Sequence, residues 1–374
     1  MKNSSIRPLL SALLLLAAPV AAQVAPVTNA STSTATSPAT APWSPQLYFG
    51  TVNFHEQLAN NPQAWKKTIA RADGMLLHLH FWVRNKSVPN NNNAKVPNAD
   101  QIKRAIAPQL KDKANILELT YHIRDAKTSP EEIGRDHAAQ VERLEKEFGI
   151  PIKAVNVDWI LSGFEVQQAE TPRLPGESDD VYFTRILNGV LAKSARYVAA
   201  FRAAGHTEKL IAVFPPIYVD EGPWTNVRKT VRPGITVSRI LNGLFDVGFD
   251  GFTADSPYYL LNNPTYRADG YYDALRSIEW TCRQRGKSFG FIINGDNNET
   301  DPKKYDAVYT ETSLAALELV RNARLRPDQI VFESWYKGPF ELVPETQANT
   351  FTNATLQIAA ALDKPATTTQ PPQK

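Results

Sequence analysis

Cysteine is almost missing from this chain of 374 residues: Cys282 stands alone, which excludes an intramolecular disulfide and any zinc site built on several thiolates. Stability has to come from burial. An excess of one charge is lacking too, since 41 lysines and arginines meet 38 aspartates and glutamates for a formal net charge of +3. That balance argues against a nucleic-acid partner, whose affinity would draw on a strongly basic surface. The longest apolar run, Leu9–Val20, falls short of the ~20 residues of a membrane span, so no membrane partner is expected. No Gly-x-Gly-x-x-Gly turn follows the first apolar run of the body, so a dinucleotide site would lack its phosphate cradle, and no cofactor is expected.

What is present begins with an address. Lys2 and Arg7 precede Leu9–Val20, and the small residues Val20 and Ala22 fit a signal-peptidase site before Gln23. Residues 1–22 read as a signal peptide, and the chain is expected to be secreted or periplasmic. No cysteine follows the cleavage site to carry a lipid anchor. Residues 23–42 are mostly Ala, Ser, Thr and Pro, too poor in large apolar groups to offset chain entropy, and read as a linker. Residues 365–374 read as a tail of the same kind, which leaves 43–364 as a single domain.

Within that domain eight short apolar runs alternate with stretches of helical period: Leu47–His55, Gly74–Trp82, Ile116–His122, Ile152–Trp159, Leu210–Pro215, Gly248–Asp255, Ser288–Asp296 and Ile330–Tyr336. Strand-then-helix repetition is the pattern of a parallel sheet, and eight strands close a barrel. The fold class is therefore read as α/β, a (β/α)8 TIM barrel with long loops after the second, fourth and fifth strands, at Arg84–Pro97, Ile160–Asp179 and Tyr218–Pro233. Strand patterns alone do not show closure, so a doubly wound open sheet is the alternative.

In a barrel strand one parity faces the helices and must be apolar, while the other faces the axis. If Val155 and Val157 meet the helices, Asn156 and Asp158 point inward. The same alternation turns His78 and His80 inward, then Glu118, Thr120 and His122, then Thr253 and Asp255, Asn294 and Asp296, and Glu333 with Trp335. Thr51, Asn53 and His55 share a parity on the first strand. Barrel interiors are normally packed with branched apolar side chains, so ionisable groups near so many C-terminal strand ends ask for a chemical reason. Asp296, followed by Asn297 and Asn298, equally suits a turn, and Asp255 before Ser256-Pro257 could cap one.

Glycoside hydrolysis is the first chemistry that fits. It needs one carboxyl group as proton donor and a second as nucleophile or base. Asp158, Asp255 and Glu333 are the candidate catalytic residues, and His55, His78, His80, His122, Asn156, Trp159, Asn294, Asp296 and Trp335 the candidate sugar contacts. The layout of Asp158 on the fourth strand and Asp255 on the sixth resembles that of (β/α)8-barrel glycoside hydrolases of the alpha-galactosidase type. The resemblance implies a carbohydrate substrate, Asp158 as nucleophile and Asp255 as acid/base. The chain departs from other barrel glycosidases: its fourth strand does not end in Asn-Glu, and it lacks the Asp-x-x-Asp-x-Asp-x-Glu run of chitinase-like barrels. Glu333 is an alternative partner for Asp158.

Metal-dependent hydrolysis is the second. His78-x-His80 places two imidazoles on one strand face, and His55 and His122 on flanking strands could complete a coordination set with Asp158 or Asp296. The spacing is similar to the His-x-His of metal-dependent amidohydrolase barrels, but the fifth strand ends Phe214-Pro215-Pro216 and the sixth carries no histidine. The glycosidase reading therefore leads, with no metal assigned. A barrel that binds a glycan without cleaving it is the third reading.

Overall fold

Alternating side chains force each apolar run to present two faces, and the molecule buries both. The structure, a computed structural model, describes residues 43–51, 54–78, 98–120, 129–158, 167–214, 233–268, 270–296, 298–334 and 339–364. Strands β1 (Gln46–Thr51), β2 (Gly74–His78), β3 (Asn115–Thr120), β4 (Ile152–Asp158), β5 (Lys209–Phe214), β6 (Gly251–Asp255), β7 (Ser288–Ile293) and β8 (Gln329–Ser334) pair in chain order. All neighbours are parallel, and β1 closes the ring on β8, with Gln46 to Thr51 registered against Gln329 to Ser334. The chain folds as a (β/α)8 barrel, and the open-sheet alternative is excluded.

One parity of each strand, such as Phe49, Leu77, Val155, Val157 and Phe332, joins the apolar shell beneath the helices. The other parity fills the lower axis with Tyr48, Leu76, Ile116, Ala154, Ile211, Val213, Ile292 and Val331. The lower rim is fixed by a repeated device, in which an aspartate just before one strand accepts the N–H of its neighbour. Asp73 takes Leu47 N–H at 2.8 Å, Asp250 takes Leu210 N–H at 3.0 Å, and Asp328 takes Phe289 N–H at 2.9 Å.

Around the ring lie α1 (Phe54–Asn60), α2 (Pro130–Glu142), α3 (Asp179–Ala203), α4 (Pro233–Asp246), α5 (Tyr271–Gln284), α6 (Pro302–Asn322) and α7 (Phe351–Leu362). Helix α2 starts on a capping box: Ser129 Oγ accepts from Glu132 N–H, and Glu132 accepts from Ser129 N–H. It packs closely on α3, because a Cβ on Gly134 would lie 2.5 Å from the Tyr197 carbonyl oxygen. His137 on the same face is buried and meets the Tyr197 hydroxyl at 2.9 Å. Burial without a counter-charge pushes the His137 imidazole down to about 3.

Two strands end earlier than their apolar runs among the described residues: β7 at Ile293, and β1. β1 stops at Thr51 and helix α1 opens at Phe54, so His55 belongs to a helix and not to the end of a strand. Alternation over Thr51–His55 mimicked a strand there, and no glycine or proline marks the break. Segments 1–22, 23–42 and 365–374 lie outside the described residues, as do residues 79–97 after β2, 159–166 after β4 and 215–232 after β5.

Candidate active site

At the upper end of the barrel the inward parity changes from apolar to ionisable. Register sets the first cluster: His78 on β2 lies beside Glu118 on β3, and Glu118 beside Asn156 on β4. His78 Nδ1 stands 3.4 Å from Glu118 Oε1, and Asn156 Nδ2 stands 3.5 Å from Glu118 Oε2. Across the ring His78 Nε2 stands 3.3 Å from Glu333 Oε1 on β8. Between β2 and β8 lies β1, whose residue registered with Glu333 is Gly50. A Cβ on Gly50 would fall 2.6 Å from the Leu76 carbonyl oxygen, so this close approach requires glycine.

Asp158 ends β4, level with Thr120, and Asp255 ends β6. Asn294, just past β7, hydrogen-bonds the Asp255 carboxyl group. The Tyr309 hydroxyl reaches in from α6, lies 3.2 Å from Asn294 Oδ1 and donates to the Glu333 carbonyl oxygen, tying β7 to β8. Beneath Asp255, Ser256 and Tyr271 share a hydrogen bond of 2.7 Å.

Burial governs the electrostatics. Glu118, Asp158 and Glu333 are 3%, 7% and 0% exposed, and among the described residues no lysine or arginine pairs with Glu118, Asp255 or Glu333. Burial first, and the Glu118 charge second, push the Asp255 carboxyl up to about 7, against the opposing hydrogen bond from Asn294. Glu333 is held well above the usual carboxylate range by burial, and then by the charges of Glu118, Asp255 and Asp158. Among the described residues, Asp255 Oδ1, Glu118 Oε1 and both Glu333 oxygens accept no hydrogen bond. A group that keeps its proton to neutrality beside groups able to act as bases is the arrangement that acid/base catalysis needs.

Of the residues expected from sequence, Asp158, Asp255, Glu333, His78, Asn156 and Asn294 occupy axis-facing positions at the C-terminal ends of the strands. Asp296 lies past β7, where its Oδ1 accepts from Asn298 N–H at 2.9 Å and Asn298 Nδ2 at 2.7 Å, which is turn duty. His80, His122, Trp159 and Trp335 lie outside the described residues, and the His55 side chain is not described. Of the four-histidine metal set only His78 is therefore placed at the mouth. Glu118 was turned inward by its parity but given no role; the β2–β3 register makes it central. Tyr309 was missed, because a helix residue reaching the barrel mouth leaves no local signature.

No family model and no curated protein matches the sequence. Solved structures similar to the chain include an endo-beta-N-acetylglucosaminidase from Cordyceps militaris, 9% identical with a TM-score of 0.44, covering 87% of this chain and 92% of that one. A beta-galactosidase from the psychrophilic Marinomonas ef1 is 11% identical with a TM-score of 0.48, covering 84% of this chain and 59% of that one. The IOLI protein, with a binding zinc atom, is 13% identical with a TM-score of 0.42, covering 85% and 96%. The barrel assignment rests on the closed ring of strands, and the chemistry on the side chains at its mouth.

Proposed function

We propose that the protein is an exported glycoside hydrolase that cleaves an oligo- or polysaccharide by carboxylate acid/base catalysis. The observation that carries this reading is the pairing, at one barrel mouth, of a carboxyl group held protonated to about pH 7, Asp255, with the further carboxyl groups Asp158, Glu118 and Glu333. Such a set is costly to bury unless its charge is used.

In the proposed reaction Asp255 gives its proton to the glycosidic oxygen as the bond to the anomeric carbon breaks. Asp158 either attacks that carbon or takes a proton from the water that does, stabilising the oxocarbenium-like transition state in both cases. Asn294 orients Asp255 through its hydrogen bond, Glu118 opposes loss of the Asp255 proton, and Asn156, buried behind the mouth, donates to Glu118. Glu333 backs the pair as the third acidic group. A barrel that only binds a glycan would need none of these protons to move, so turnover separates the two readings.

The test is release of reducing sugar from a panel of polysaccharides. Asp158→Asn and Asp255→Asn should each lower kcat by about 100-fold or more with the fold intact by circular dichroism. Activity of Asp158→Asn within a few-fold of wild type would remove the nucleophile assignment. Export is checked on protein recovered from outside the cytoplasm, whose N-terminal residue should be Gln23.

A further inference from the structure

The acid/base pair draws on the charges of Glu118 and Glu333 but does not account for their close grouping with His78. One ring nitrogen and one oxygen from each carboxylate lie within 4.8 Å of one another, and all three side chains are buried. The imidazole faces the carboxylates at 3.4 and 3.3 Å, longer than the ~2.7–2.9 Å of a charge-assisted hydrogen bond. Among the described residues, both oxygens of Glu333 and Oε1 of Glu118 accept no hydrogen bond, although Glu333 is 0% exposed. A proton on Glu333 would leave at least one of its oxygens unmatched; an ion bound among the three side chains would engage the carboxylates and supply the missing positive charge together.

We propose that His78, Glu118 and Glu333 form a binding site for one divalent transition-metal ion at the floor of the mouth. Donors that each sit ~2.0–2.2 Å from a common ion are at most about 4.3 Å apart, against an upper bound of 4.8 Å here, so a common ion would take one ring nitrogen of His78 and the carboxylates would turn towards it. One imidazole nitrogen with carboxylate oxygens suits Zn2+ or Mn2+, whereas Ca2+ takes oxygen alone and several thiolates would be needed for a soft ion. Asn156, donating to Glu118 Oε2, orients that carboxylate from outside. Gly50 supplies the gap across which β2 and β8 share the ion. This ligand set differs from the four histidines suggested by spacing, since two of its three members are glutamates.

The site is tested on the whole protein, stripped with a chelator and dialysed, then incubated with Zn2+ or Mn2+, freed of unbound ion by gel filtration and assayed by elemental analysis. Wild type should retain close to one equivalent, and its Tm should rise with ion concentration. Glu333→Gln and His78→Gln should retain less than about a tenth as much, with Tm insensitive to the ion. Glu208→Gln, which alters the separate His206–Glu208 pair, should retain the full equivalent. Unaltered circular dichroism documents folding of Glu333→Gln, and His78→Gln supplies an independent variant of the ligand set. No retention by wild type at about 100 µM ion, or equal retention by wild type and both variants, overturns the proposal. None of these readouts uses sugar release, so failure of the ion site and failure of the glycosidase reading are distinguishable, although a bound ion would offset the Glu118 charge that helps to hold the Asp255 proton.

Discussion

Asp255 shows most directly how a single side chain couples stability to chemistry. Its folded-state value of about 7 exceeds the ~3.9 of an unfolded aspartate, so between those limits the folded state binds more protons. Stability therefore falls as pH rises through that window and levels off above it. Asp255→Asn should raise stability at pH 8 by on the order of 4 kcal/mol and leave it unchanged near pH 3.5, as read by urea unfolding at both values. The same group as general acid predicts that wild-type kcat/KM falls about tenfold per pH unit above 7, once Asp255 has lost its proton. At this scale sequence was informative where parity sufficed. Val157 before Asp158 and Phe332 before Glu333 belong to the apolar shell beneath the helices, so the inward direction of the two carboxylates was readable. It was silent on Glu118 as a partner of His78, because that contact depends on which residues of β2 and β3 stand side by side.

Elements meet here through missing side chains as much as through present ones. Gly134 lets α2 lie against α3, and Gly134→Ala should push the helices apart and cost about 1–3 kcal/mol in denaturant unfolding. The His137–Tyr197 contact across the same interface has the opposite pH sense to Asp255. Its imidazole is held at about 3 against ~6.5 when unfolded, so stability present above pH 6.5 is lost progressively as pH falls from there towards 3. His137→Gln should flatten that acid limb while keeping a partner for the Tyr197 hydroxyl, and thermal unfolding from pH 4 to 7 would record it. Strand number was legible from eight apolar runs, while closure, and with it strand order, was left open between a barrel and a doubly wound sheet. Strand ends were not legible: a helix opens at Phe54, while the two-residue alternation runs on to His55. Tyr309 was equally hidden, since the period of α6 reports which face is apolar and not which residue reaches Asn294.

The whole molecule depends on closing β1 against β8, and helix α7 covers that seam. Phe351 stacks on Phe332 of β8 at 4.8 Å and leans on Phe49 of β1 at 6.4 Å, while Arg71 and Arg321 hold the helix through carbonyl oxygens of Ala359 and Ala361. Phe351→Ala should cost about 3–5 kcal/mol, with hydrogen exchange accelerating first at the amides of β1 and β8. Below the mouth, Leu76, Ile116, Val213, Ile292 and Val331 fill the axis, and the Gln329–Thr253 hydrogen bond of 3.2 Å crosses it where Gly290 leaves room. Among the described residues the axis is therefore filled below the mouth. Under the proposed function a long glycan would lie across the rim of the barrel instead of threading along its axis.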